Sequence, residues 1–118
     1  MPSRYPRHGR ALRKGGNTVK ITLNRNDTEL TVLLEGRLDT LTSPELEEAL
    51  EPELENETDK LIFDFAGLEY ISSAGLRVLL AASKEMEAQD GEMIVKNVRS
   101  EITEVFEVTG FSDFLNIQ

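Results

Sequence analysis

Cysteine and tryptophan are absent from this chain, and there is one histidine, His8. Without cysteine there can be no disulfide, thiolate zinc site or thiol nucleophile. A lone histidine among basic N-terminal residues supplies neither a base for a hydroxyl nucleophile nor a His-rich metal site. No metal and no cofactor is therefore expected. Long apolar runs are missing too. None approaches the roughly 18 residues that cross a bilayer, and the first residues lack the apolar stretch of a secretory signal. No membrane span and a cytoplasmic location are expected.

The 118 residues suffice for one domain, since domains commonly run to about 100–150 residues. A hydrophobic content of 39% with 30% charged residues is ordinary for a globular protein. The formal charge of −9 is unevenly spread. Residues 1–20 hold Arg4, Arg7, Arg10, Arg13, Lys14 and Lys20 with no acid, a charge of +6, which leaves −15 on the remainder. So acidic a body argues against direct nucleic-acid binding and for a partner with a basic face. Residues 1–17, few of them apolar and ending near Gly15 and Gly16, read as a disordered basic tail. The folded domain is expected over 18–118.

Val19, Ile21 and Leu23 alternate, as do Leu30, Val32 and Leu34 within Glu29 to Glu35, and a turn signal spans Asn24 to Asp27. This is the pattern of a hairpin with one face buried. After Gly36 to Asp39, Thr42-Ser43-Pro44-Glu45 predicts a helix start with a hydroxyl cap and proline at the first helical position. Leu46, Ala49 and Leu50 form its apolar stripe, and Pro52 should end or kink it. Lys60 to Phe65 reads as a strand buried on both faces. A second helix is expected from Ser73 to about Gln89, with Leu76, Leu79, Leu80 and Ser83 on one face and Gly91 as its stop. Glu92 to Lys96 is a further strand. A third helix from Ser100 carries Ile102, Val105, Phe106 and Thr109 at helical spacing, with Gly110 placed for a left-handed cap. Phe111, Phe114 and Ile117 should return to the core. Strands alternating with helices after a hairpin predict an α/β domain: a mixed sheet of four to five strands with helices mainly on one face.

Enzymatic signatures fail on spacing. Ile71-Ser72-Ser73-Ala74-Gly75 is off the G-x-S-x-G elbow because Ile71 stands where glycine is needed, and no histidine follows. There is no G-x-x-x-x-G-K-[ST] loop and no G-x-G-x-x-G after a strand. Glu47, Glu48, Glu51, Glu53, Glu55 and Glu57 crowd one region. Lacking an apolar pocket to perturb them, they read as a solvated face. The expectation is a protein that is not an enzyme.

Two features have more than one reading. Ser72 and Ser73 fall after a buried strand and before a helix, where free backbone N–H groups and the helix dipole accommodate an added phosphate. One serine equally suits a helix cap, and both readings hold if Ser72 caps while Ser73 faces solvent. Asp39, in the turn Gly36-Arg37-Leu38-Asp39, is the kind of residue that fixes a turn through its own backbone.

Taken jointly, Gly36-Arg37-Leu38-Asp39, Phe63-Asp64-Phe65-Ala66-Gly67-Leu68 and Tyr70-Ile71-Ser72-Ser73-Ala74-Gly75-Leu76 resemble the STAS family of anti-sigma factor antagonists. There a G-x-L-D turn follows a strand, and an aromatic-aliphatic-D-S-[SA]-G-L motif opens a helix. Val95-Lys96-Asn97-Val98 and Val105 to Phe111 continue the resemblance, which covers about residues 19–117.

The resemblance implies a single STAS domain and a partner-switching function. Such a protein, unphosphorylated, binds an anti-sigma factor that is also a serine kinase, and a sigma factor is released. The kinase uses ATP to phosphorylate the motif serine, here Ser73, and a PP2C-type phosphatase resets it. Asp39, Ser72, Ser73, Ala74, Gly75 and Leu76 are the implied partner-binding residues. Ser72 stands where the family's best-known pattern has aspartate, which makes it an alternative phosphate acceptor. A second implied reading is a STAS adaptor that is never phosphorylated and serves a transport or sensory complex.

Overall fold

The computed structural model describes residues 18–118. The tail expected over residues 1–17, including His8, lies outside the described residues. The elements are β1 (Val19–Asn26), β2 (Glu29–Leu38), α1 (Ser43–Leu54), β3 (Lys60–Ile71), α2 (Ser73–Ala88), β4 (Glu92–Lys96), α3 (Ser100–Thr109), a 3-10 turn (Phe111–Asp113) and β5 (Asn116–Ile117).

The strands lie in the order β1-β2-β3-β4-β5. β1 and β2 are antiparallel and every other pair is parallel. Alternation puts Val19, Ile21 and Leu23 of β1, Leu30, Val32 and Leu34 of β2, and Leu61, Phe63 and Phe65 of β3 in one core. Leu46 and Leu50 of α1, Leu79, Ala82 and Met86 of α2, and Ile102 and Phe106 of α3 join the same cluster. Phe65 meets Phe63 edge-on at 5.9 Å and Phe106 at 6.3 Å between ring centroids, which ties α3 to the central strand. Each such ring, fully buried, contributes about 1.5–3 kcal/mol.

The mixed five-stranded sheet agrees with the expected fold class, but several local expectations are corrected. β3 is covered on one face only, since Ile62 and Asp64, pointing the other way, are half-buried. β1 runs on to Asn26, and the hairpin turns at Asp27-Thr28, with Asp27 in the left-handed region at φ 62°. β2 continues through Gly36 and Arg37, where a turn was expected, and β3 runs past Phe65 to Ile71. Their pairing survives because register shifts near Leu33/Glu35 and Gly36/Arg37 absorb the break in alternation. Gly36 makes this possible: it has φ 104°, and a Cβ there would lie 2.5 Å from the Thr18 carbonyl oxygen.

Pro44 is the second residue of α1, and the Thr42 hydroxyl makes no cap bond to the helix. It is otherwise engaged, donating to the Arg37 carbonyl at 2.7 Å and accepting the Asp39 amide at 2.8 Å. Pro52 lies inside the last turn, and α1 ends at Leu54. The inward face of α2 includes Leu76, Val78, Leu79, Ala82 and Met86, whereas Leu80 and Ser83 are only half-buried. α2 stops because Asp90 turns left-handed at φ 60°. Gly91 serves close packing instead, since a Cβ there would come within 2.5 Å of Met86 Cε. Gly110 does cap α3 in the left-handed region, at φ 84°. At the C-terminus Leu115 enters the core, while Phe114 is 48% exposed.

The acidic region also divides. Glu47, Glu48, Glu51, Glu55 and Glu57 are exposed, but Glu53 is buried and pairs with Arg25 Nε at 3.0 Å. Arg25 Nη2 also donates to the Glu53 carbonyl at 2.8 Å and to the Thr58 hydroxyl at 3.0 Å. This fastens the hairpin to the end of α1.

Candidate functional site

The site forms where β2 and β3 end side by side. The Ser72 amide donates to the Leu38 carbonyl at 2.9 Å, so the turn after β2 and the start of α2 are neighbours. Ser72 is extended (φ −100°, ψ 177°), and its hydroxyl accepts the Gly75 amide at 3.3 Å, an N-cap. Ser73, the first helical residue, is exposed, and its hydroxyl has no hydrogen-bond partner among the described residues. The division of labour open at the level of sequence is thus resolved in geometry, with Ser72 capping and Ser73 facing solvent. The first turn of α2 contains no acid, so the partial positive charge of about half a unit at this helix start is uncancelled there.

Ala74 is half-buried, and Gly75 and Leu76 are buried. The last two position the helix and offer little surface. At Gly75 a Cβ would lie 2.8 Å from Ile71 Cγ1 and 2.9 Å from Leu38 Cδ2. Only hydrogen fits there, and α2 can therefore begin directly against the strand ends. Leu76, at 7% exposure, anchors the first turn in the core.

Asp39 fixes the neighbouring turn. Its Oδ1 accepts the Leu41 and Thr42 amides, each at 3.0 Å, and the Thr42 hydroxyl at 3.1 Å. Partial burial works to raise the carboxyl pKa. The opposing hydrogen bonds from Thr42 and Leu41, with the positive charge of Arg37, hold it below the ordinary value. Asp39 is therefore an ionised structural clamp whose turn presents Leu41 at 66% exposure.

Three residues here had no assigned role in the sequence. The Arg37 guanidinium lies 4.2 Å from the centroid of the Tyr70 ring, a cation–π contact set by the β2–β3 register that pairs these two residues. Tyr70 is 40% exposed, and with Leu41 it gives the site an apolar margin. The only available signal was an aromatic in a stretch that reads as loop, and its alternation phase was hidden by the register shifts. No group of acids or histidines suited to a metal ion occurs among the described residues. No helix among them is long and apolar enough to cross a membrane.

The STAS domain family model matches residues 20–118. Over 93 residues the chain is 32% identical to BtrV of Bordetella bronchiseptica, described as a candidate anti-sigma factor antagonist, covering 79% of this chain and 80% of that one. It is 29% identical over 101 residues to an anti-sigma-B factor antagonist of Listeria monocytogenes, covering 85% and 89% of the two chains. In fold it is similar to the anti-sigma factor antagonist SpoIIAA in its unphosphorylated form, with a TM-score of 0.74, 20% identity, and 83% and 87% of the chains covered. The phosphorylated form of SpoIIAA of Bacillus gives a TM-score of 0.67, also at 20% identity, with 83% and 90% covered. The chain belongs to the STAS-domain family of anti-sigma factor antagonists.

Proposed function

We propose that this protein is a phosphorylation-controlled binding switch and not a catalyst. Unphosphorylated, it binds an anti-sigma factor that is also a serine kinase, and a sigma factor is set free. The kinase transfers the γ-phosphoryl group of ATP to the Ser73 hydroxyl, the complex parts, and a PP2C-type phosphatase restores the serine. The whole cycle runs in the cytoplasm.

The observation that carries this reading is the exposed, unbonded Ser73 hydroxyl on an acid-free helix start, beside the Asp39 turn. Phosphate adds about −1.5 to −2 charges at such a position. The amide N–H groups of the first turn can solvate it, so the folded protein tolerates the modification. A partner seated on the same surface meets new charge and bulk. A penalty of only ~1.4 kcal/mol already weakens binding tenfold. Ser72 is the poorer acceptor, being half-buried and committed to its cap bond.

Intact mass after incubation with the anti-sigma kinase and ATP tests the reading. One phosphate should be gained, and Ser73→Ala should lose it while Ser72→Ala keeps it. No gain with any serine kinase of the source organism would instead favour a STAS adaptor of a transport or sensory complex.

A further inference from the structure

A groove of about 330 Å³ runs between α1 and α2, away from the Ser73 surface. Its floor is apolar, formed in part by Leu54, Val78 and Ala82, and its rim is Glu47, Glu51, Glu55 and Glu85. Every ionisable group lining it is a carboxylate, and none of the four has an ion-pair partner among the described residues. Three of them follow one another at i, i+4 and i+8 along α1 and its C-cap, Glu55, a like-charge ladder that weakens an isolated helix. Glu51, Glu55 and Glu85 also sit toward the C-terminal ends of two helices whose last turns hold no basic residue. Helix dipoles there add to the negative potential. Such a groove is arranged for a cation-rich, partly apolar chain.

The sequence contains one. Arg4, Arg7, Arg10, Arg13 and Lys14 fall within eleven residues free of acid, with Leu12 between two of the arginines. We propose that this arginine-rich segment docks in the α1–α2 groove of its own domain. Arginine stems can cover the apolar floor while their guanidinium groups meet the rim carboxylates. Reach is sufficient. The Arg37 amide donates to the Thr18 carbonyl at 2.9 Å, so the segment joins the domain at the end of the sheet where α1 and α2 begin. The groove residues Val78 and Glu85 lie about 8 and 18 Å along α2 from Ser73, and the eight Cα steps from Arg10 to Thr18 span up to about 26–29 Å. A short tether also supplies an effective concentration in the millimolar range. This contact does not depend on the role of Ser73.

The absence of native cysteine allows a clean test in the full chain. A nitroxide on Ala11→Cys should broaden the amides of Glu51, residues 53–55 and residues 81–85 several-fold more than those of β1 or β5. The effect should collapse in Glu51→Gln/Glu55→Gln/Glu85→Gln, whose remaining amide spectrum reports an intact fold. It should also collapse between about 0.1 M and 1 M salt, where the Debye length falls from about 10 Å to 3 Å. Broadening that is uniform, that peaks at Ser73 and the Asp39 turn, or that survives the triple substitution overturns the proposal. So does equal broadening when isotope-labelled molecules without nitroxide are mixed with unlabelled spin-labelled ones, which would assign the contact to a second copy.

Discussion

The Ser72 hydroxyl accepts the Gly75 amide at 3.3 Å, and that bond separates two adjacent serines that are chemically identical. Loss of the cap in Ser72→Ala should cost about 1 kcal/mol in urea unfolding. Ser72→Asp, which restores the family's more usual residue, should keep the stability near that of the wild type because aspartate caps equally well.

Ser73→Ala should bind the anti-sigma kinase as the wild type does and escape release by ATP. Ser73→Glu should weaken binding only in part, because one carboxylate carries less charge than phosphate. Titration calorimetry with the kinase checks both. Equal affinity for the unmodified protein and the true phosphoprotein would falsify the switch.

Gly75→Ala should be destabilising by about 1–3 kcal/mol, the usual range for overpacking a core. The new methyl meets Leu38 and Ile71, both buried and unable to step aside. A denaturant midpoint unchanged from wild type would show that the helix start has more slack than its geometry implies.

The depressed pKa of Asp39 carries a sign. In the folded state the carboxylate is the favoured form, so the unfolded chain takes up a proton first as pH falls. Its contribution is fully present above the unfolded-state pKa of about 3.9 and disappears as pH drops through the lower folded value. Urea midpoints measured across this range should fall less steeply with acid in Asp39→Asn than in the wild type.

Arg25→Met should cost about 1.5–3 kcal/mol, the range for losing hydrogen bonds to a charged group. The substitution strands the Glu53 carboxylate in a part-buried place, while the Thr58 hydroxyl loses one bond and keeps its bond to the Asn56 carbonyl. Thermal melting checks it, and a matching loss should not appear in Glu57→Gln, whose side chain is exposed.

Where a side chain answers to one local rule, the sequence was informative. β4 has its expected bounds, α3 ends at Gly110, and the alternation of Val19, Ile21 and Leu23 gave the face of β1 correctly. Tertiary competition defeated the reading elsewhere. Thr42 looked like a cap, but Arg37 and Asp39 claim its hydroxyl. Glu53 looked like one more solvated acid until Arg25, 28 residues away, reached it. The far halves of β2 and β3 lost their alternation to register shifts, which hid Tyr70 and its contact with Arg37. At the candidate site, the motif named a turn and a helix start that the fold brings side by side. It could not separate the buried Gly75 and Leu76 from the exposed Ser73, because depth depends on how closely the strand ends approach.

Because β2, β3 and β4 run parallel and each is followed by a helix returning to the next strand, α1, α2 and α3 all begin at the same end of the sheet. Their peptide dipoles add instead of cancelling, with positive ends together. Glu45 and Glu101 occupy the first turns of α1 and α3, whereas α2 has no such acid. A strongly acidic molecule thus has polarity as well as charge, and a charged partner experiences a torque before contact that favours one way of approaching.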